Sequence, residues 1–114
     1  MHFTNLTGPV VVPFDFSEMS CEALAKAIEM VGDPSMIRVV HVTEYPSAYE
    51  YGVVWETMTE ETIVGKLTES FEEKMSTLEG IPKLKLTVIF GNPGREICTF
   101  AKDCNAGLVL MPSH

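Results

Sequence analysis

The sequence lacks any run of about 18 apolar residues, the length that a membrane-spanning helix needs. Its first residues, MHFTNLTGPVVVPF, contain no lysine or arginine, and Pro13 and Asp15 interrupt the apolar run that follows. A secretory signal peptide would begin with a positively charged segment and continue with a longer apolar one. We therefore expect a cytoplasmic protein without a membrane partner.

Basic residues are also scarce. Lysine and arginine number 8 against 16 aspartates and glutamates, which gives a formal net charge of −8. A charge of this sign opposes binding to nucleic acid and to anionic lipid. A polyphosphate ligand would have to be held by local backbone dipoles or by a metal ion.

The sequence has only three cysteines, Cys21, Cys98 and Cys104, and they do not form a CxxC pair. An odd number without metal-ligand spacing favours reduced thiols in the core of a cytosolic protein.

Several common functional motifs are absent. The glycine-rich fingerprints GxGxxG and GxxxxGK[ST] do not occur, and a phosphorylated receiver domain would need an aspartate where Phe90-Gly91 stands. No serine or cysteine is arranged with a histidine as a nucleophile, and the three histidines lack metal-like spacing. We therefore assign no catalytic and no metal-binding residue.

What is present fits one globular domain over residues 1–114. The chain is 46% hydrophobic and 21% charged, close to the average of globular proteins. Short β-branched runs alternate with segments of helical periodicity. The pattern predicts strands over 8–16, 36–42, 84–90 and 107–111, with helices over 17–32, 57–80 and 92–104 between them. The first helix is expected to bury the stripe Cys21, Leu24, Ala25 and Ile28. The residues expected to start the helices are Ser17, Thr57 and Asn92 with Pro93, and those expected to end the first two are Gly32 and Gly80.

This alternation predicts a parallel sheet covered by helices. Ligands of such folds bind beyond the carboxyl ends of the strands, where the strand order reverses. The segments to inspect are thus 14–17, 42–44, 91–94 and the terminal MPSH, 111–114.

Three stretches together resemble the universal stress protein family. VVVPFDFSEMSCEAL (10–24) is similar to that family's opening V-P-x-D-x-S strand and helix, and RVVHVTE (38–44) to its second strand. The stretch 91–114 is similar to its G-x-P-x-x-x-I helix and to the strand that leads into M-G-[ST]-H-G.

The resemblance implies a three-layer, Rossmann-like α/β fold of the adenine-nucleotide α-hydrolase type. The strand order would be 3-2-1-4, with the family's fifth strand absent from this sequence. It also implies a homodimer and, in many members, ATP bound with Mg²⁺. The nucleotide-binding positions carried over by the resemblance are Pro13, Phe14, Asp15, Val42, Met111, Ser113 and His114.

Several polar and aromatic residues also have simpler structural interpretations. Asp15 could cap the first helix or its turn instead of contacting a ligand, and Ser17 is first of all an N-cap. His41 lies mid-strand beside valines and is interpreted as a packing residue with a satisfied hydrogen bond. Arg95, near a helix N-terminus, is expected in solvent. The aromatic stretch around Tyr49 and Trp55 could cover the core, a partner subunit or a nucleotide.

Two departures from the family pattern bear on function. Pro112 replaces a glycine and removes a backbone N–H from the phosphate loop. The family's following G-x-x-G and G-[ST] stretch is missing, so we expect the domain to be incomplete at its C-terminal end. The alternative is a short variant that covers its sheet edge with a second copy.

The sequence therefore predicts a dimeric stress-response module that binds ATP and has at most slow ATP hydrolysis. An alternative is a family member that acts through dimerisation and protein contacts without nucleotide. A third, an enzyme of the wider α-hydrolase group, would need catalytic residues that this sequence does not show.

Overall fold

Strands and helices alternate along the computed structural model, which describes residues 8–44 and 60–111. The elements in chain order are β1 (Val10–Pro13), α1 (Glu18–Val31), β2 (Ile37–Thr43), α2 (Glu60–Ser76), β3 (Leu86–Phe90), α3 (Pro93–Asp103) and β4 (Leu108–Val109). A single 3-10 turn, Pro34–Met36, leads into β2. None of the helices in these ranges has the length and apolar character needed to cross a bilayer.

The four strands form one parallel sheet of order β3-β2-β1-β4. In its register Val10 lies opposite both Ile37 and Leu108, and Val39 lies opposite Leu86. The expected α/β class and the strand order 3-2-1-4 are confirmed.

Three of the four strands are shorter than predicted, whereas β2 has the predicted length of 7 residues. The fourth was expected over 107–111 but covers Leu108–Val109, although the Leu110 amide still donates to the Val11 carbonyl at 2.9 Å. Within the described ranges β4 pairs with β1 alone, so hydrogen bonds support it from one side only. The first strand was predicted to reach residue 16 but ends at Pro13, and Phe16 has a left-handed φ of 67°, outside the range of a regular extended strand.

The ends of α1 follow from their capping residues. The Ser17 side chain accepts a hydrogen bond from the Ser20 amide at 3.1 Å, and Gly32 closes the helix with a φ of 70°. Glycine adopts this left-handed conformation without steric cost. The predicted N-cap and C-terminal glycine are confirmed.

The other two helices differ in detail from the prediction. Helix α2 ends at Ser76, ahead of the predicted Gly80, and Phe71 is its only fully buried side chain. The proposed capping residue Thr57 lies outside the described residues. Helix α3 starts as expected, with Asn92 as N-cap and Pro93 in the first turn.

The main core lies between one face of the sheet and the pair α1 and α2. Its fully buried members include Val10, Val12, Leu24, Val39 and Phe71. Ala25, predicted on the buried stripe of α1, is exposed, and Ala27 is buried instead. Helix α3 lies against the opposite face, where Ile97 lines a cleft with Val40 and Val42.

The prediction of three core thiols is wrong for Cys98. Cys21 is buried in the core, whereas Cys98 is exposed and Cys104 is half-buried, and all three are free thiols. Cys98 is adjacent to Ile97, and neighbours on a helix face different directions, so Cys98 lies off the stripe that meets the sheet.

Candidate functional site

A cleft opens at the carboxyl ends of the strands, between the sheet and the first turns of α3. Its volume is about 220 Å³. Its lining comes from β1, β2, α3 and the segment after β4: Pro13, Phe14, Asp15, Val40, His41, Val42, Pro93, Ile97 and Met111.

The position of this cleft follows from the topology. From β1 the chain moves outward to β2 and β3, and then crosses back so that β4 pairs with the other side of β1. The helix α1, which follows β1, and the helix α3, which precedes β4, lie on opposite faces of the sheet, so a crevice is left between them at the carboxyl ends of the strands. Such a switch point is the usual ligand site of open parallel sheets.

Five of the predicted nucleotide-binding residues meet in this cleft. Pro13, Phe14, Asp15, Val42 and Met111 all contribute to its lining. The remaining two, Ser113 and His114, lie outside the described residues, as do Pro112, Tyr49 and Trp55. These residues come from separate stretches of the sequence, and the fold brings together all of those that lie in the described ranges.

Asp15 is exposed at the mouth of the cleft and participates in a hydrogen-bond network. Its Oδ1 accepts from the Ser17 amide at 3.0 Å, from the Ser17 hydroxyl at 2.5 Å and from the Ser20 hydroxyl. Asp15 thus organises the start of α1, which is the capping role that the sequence left open. Its position also places a carboxylate beside any ligand in the cleft.

Ser20 is the residue of this network that the sequence analysis missed. Its side chain is completely buried, and its hydroxyl oxygen accepts from the Asp15 amide at 3.0 Å. The signal was present in the spacing S-x-x-S, because a serine three residues after the N-cap faces back toward the cap. Serine is common in the first turn of a helix, so this spacing alone does not single out Ser20.

The contacts of His41 confirm that it is a packing residue whose side chain has a hydrogen-bond partner. Its Nδ1 lies 2.7 Å from the Phe14 carbonyl oxygen, and its ring meets the Phe16 ring edge-on at 5.1 Å between centroids. Phe16 also packs edge-on against Phe14 at 5.0 Å. The chain between β1 and α1 is thereby held against β2.

The first turn of α3 forms the far wall of the cleft. The Asn92 side chain accepts from the Arg95 amide at 3.1 Å, and Pro93 and Ile97 contact the cleft. Arg95 is exposed as expected. The amides of this turn give the wall a partial positive charge, which favours an anion.

The lining suits the base and sugar of a nucleotide more than its phosphates. The walls are mostly apolar, with one carboxylate at the rim, which fits a flat ring system and a hydroxyl donor. The cavity is smaller than the roughly 300–1,000 Å³ of most small-molecule sites, so phosphates would extend beyond it. Across residues 8–44 and 60–111 there is no group of three His, Cys, Asp or Glu that could hold a metal ion.

The fold and the cleft together define a Rossmann-like α/β protein with a cleft at its switch point. A family model described as the universal stress protein family matches residues 7–114. The chain belongs to the universal stress protein family, as the resemblance predicted.

Two solved structures support the fold assignment. The hypothetical protein MJ0577, studied for structure-based assignment of its biochemical function, matches with a TM-score of 0.59 and 25% identity. That match covers 96% of this chain and 76% of MJ0577. The universal stress protein UspA from Lactobacillus plantarum matches with a TM-score of 0.55 and 17% identity, covering 91% of this chain and 75% of UspA. No curated protein sequence matches this chain.

Proposed function

We propose that this universal stress protein is a stress-response module of the cytoplasm that binds an adenine nucleotide, ATP with Mg²⁺, in the cleft at the switch point. One observation carries the proposal. Pro13, Phe14, Asp15, Val42 and Met111, chosen from the sequence as nucleotide-binding positions, line a single cleft.

Each part of the cleft has a physical role in this proposal. Val40, Val42 and Ile97 offer apolar surface to the adenine ring, and the backbone at Val42 offers it a polar edge. The Asp15 carboxylate accepts a hydrogen bond from a ribose hydroxyl. The first turn of α3 favours the negative charge of the phosphates.

Magnesium would arrive with the nucleotide. The described residues have no cluster of ligands for a metal ion, and Mg²⁺ is commonly held by substrate phosphates with few protein carboxylates. When bound, Mg²⁺ would offset phosphate charge in a protein whose net charge is −8.

The test is isothermal titration calorimetry with Mg-ATP on the wild type and on two matched tryptophan variants. Ile97→Trp places a large side chain in the cleft and should abolish binding. Thr99→Trp adds the same group at an exposed position of the same helix and should leave affinity unchanged. Equal effects in both variants, or no binding to the wild type, would refute the proposed site.

Asp15→Asn tests the carboxylate without dismantling the turn. An asparagine Oδ1 can still accept from Ser17 and Ser20, so the start of α1 should persist. Loss of the charge and of one acceptor oxygen should weaken Mg-ATP binding by about 1–3 kcal/mol. Unchanged affinity would limit Asp15 to its capping role.

We further propose that the protein is a homodimer, which would also serve a function based on protein contacts alone. The eleven described residues of α3 include none that is buried, and the apolar stripe that meets the sheet (Ile97, Phe100, Ala101 and Cys104) is itself only half-buried. In the described sheet β4 has one strand neighbour, β1. A second copy would cover this apolar surface or the open strand edge.

Sedimentation velocity at micromolar concentration tests this assembly. We expect twice the chain mass for the wild type and a shift toward monomer in Phe100→Glu, with Thr99→Glu as the exposed control. A monomeric wild type would contradict the dimer. A dimer without ATP binding would favour the function based on protein contacts.

A further inference from the structure

Phe14 is held by β2 through both of its backbone polar groups. Its amide donates to the Val40 carbonyl at 2.7 Å, which extends the pairing of β1 with β2 by one residue. Its carbonyl oxygen lies 2.7 Å from Nδ1 of His41. The first contact is ordinary sheet pairing, whereas the second requires a particular side chain on β2.

The direction of the second hydrogen bond determines which nitrogen of the imidazole carries the proton. A carbonyl oxygen can only accept, so Nδ1 of His41 must carry the proton and donate it. In the neutral ring this leaves Nε2 without a proton. The tautomer of His41 is therefore a consequence of its contact with Phe14.

The residues after Phe14 depend on this attachment. Phe16 has a left-handed φ of 67°, which bulky side chains rarely adopt, and its ring rests on the rings of His41 and Phe14. Asp15 lies between these two anchored phenylalanines. The turn that presents the Asp15 carboxylate is thus fixed on its β2 side by His41 and on its α1 side by Ser17 and Ser20.

We propose that His41 is a positioning residue of the cleft: its Nδ1–H holds the Phe14 carbonyl and thereby sets the direction of Asp15. The binding part of this proposal rests on the proposed nucleotide function. The geometric part concerns the turn itself and holds with or without a ligand.

The competing explanation is that the His41 ring only fills space beneath Phe16. Two variants separate the explanations because each explanation predicts the opposite order of tolerance for the two substitutions. Asparagine carries its amide nitrogen on Cγ, as histidine carries Nδ1, and can still donate to Phe14. Leucine has the same branching and more apolar surface but no donor. Packing alone predicts that leucine is tolerated better, whereas positioning predicts that asparagine is.

The experiment measures Mg-ATP affinity by calorimetry for the wild type, His41→Asn and His41→Leu. We expect His41→Asn to remain close to the wild type and His41→Leu to raise Kd by about three- to tenfold, the effect of losing one net hydrogen bond. Equal losses in both variants, or a smaller loss with leucine, would overturn the proposal.

Nuclear magnetic resonance supplies two readouts that need no ATP, and the first of them needs only the wild type. In the wild type, the imidazole ¹⁵N shifts should show a protonated Nδ1 in the neutral ring, and an Nε2–H tautomer would overturn the proposal outright. Amide shifts of Asp15, Ser17 and Ser20 should move in His41→Leu and stay in place in His41→Asn. If the wild type bound no ATP but kept these signatures, the nucleotide function would fail while the positioning role of His41 stood.

Discussion

The Asp15 amide donates to the Ser20 hydroxyl oxygen at 3.0 Å, and the same hydroxyl donates to Oδ1 of Asp15. Ser20 is completely buried in α1, whereas Asp15 is exposed at the cleft. A buried residue thus holds the exposed Asp15 by two hydrogen bonds, one to its backbone amide and one to its carboxylate. The stability of the helix start and the geometry of the cleft are therefore coupled.

Replacing Ser20 with alanine should reveal this coupling. The change leaves the Asp15 amide and carboxylate without their buried partner, so the free energy of unfolding should fall by about 1–3 kcal/mol. Urea denaturation followed by circular dichroism measures the change. Ser76→Ala, which removes an exposed hydroxyl bonded to the Glu73 carbonyl, should stay within about 0.5 kcal/mol and serves as the control. Similar stability of the two variants would argue against the coupling.

Much of the fold could be predicted because local signals agreed with one another. Apolar runs placed the strands, and Ser17, Gly32 and Asn92 marked helix ends by capping chemistry that acts within a few residues. The strand order came from a family resemblance. It depends on long-range pairing, which periodicity alone does not specify.

The parts that were wrong or missed depend on tertiary neighbours. The extent of β4 depends on which strands pair with it, and the exposure of Cys98 depends on the precise rotation of α3 against the sheet. The contact of His41 with Phe14 joins residues 27 positions apart. The left-handed turn at Phe16 has no local signature, since glycine or asparagine usually marks such a conformation.

Two glycines should respond to alanine in opposite directions. A Cβ on Gly8 would lie 1.9 Å from the Asn105 carbonyl oxygen, so the chain before β1 would have to move away from the turn before β4. We expect Gly8→Ala to lower the free energy of unfolding by about 1–3 kcal/mol. Gly65 lies within α2 with nothing within 4 Å of an added Cβ, and Gly65→Ala should raise it by about 0.5–1 kcal/mol.

The same denaturation experiment measures both glycine variants. They exchange the same atoms, so a difference in sign comes from the backbone conformation and the surroundings of each position. A stable Gly8→Ala variant would mean that the approach of Gly8 to Asn105 is less close than described, and a destabilised Gly65→Ala variant would contradict the open surroundings of that position.

The turn before β2 should contribute a pH-dependent part of the stability. Hydrogen bonds from the Ser35 hydroxyl at 2.8 Å and amide at 3.0 Å hold the pKa of Asp33 below its usual 3.8. Because the folded state favours the ionised form, this contribution is present above pH 3.8 and is lost as the pH falls through the lowered pKa.

Thermal unfolding of the wild type and Asp33→Ala at pH 6 and near pH 2.5 tests that contribution. We expect the wild type to have the higher Tm at pH 6 and the gap to shrink at the lower pH. Ser35→Ala removes the largest cause of the pKa shift, so it should lose much of the same pH-dependent advantage. A difference in Tm that stays the same at both pH values would show that the ionised Asp33 carboxylate stabilises the fold no more than the protonated one.

The three cysteines should react with iodoacetamide in the order of their exposure. Cys98 is exposed on α3, Cys104 is half-buried, and Cys21 is 5% exposed in the core, where burial raises its pKa. Since the thiolate is the reactive form, burial slows Cys21 both by restricting access and by favouring the protonated thiol. Mass spectrometry of the native protein at pH 8 should therefore show one fast alkylation at Cys98 and the slowest at Cys21.

Two controls accompany the cysteine labelling. Cys98→Ser should lose only the fast phase, and in denaturant all three thiols should react at similar rates. Fast labelling of Cys21 in the native protein would instead mean that α1 opens readily from the sheet, which would contradict the capped and packed helix described above.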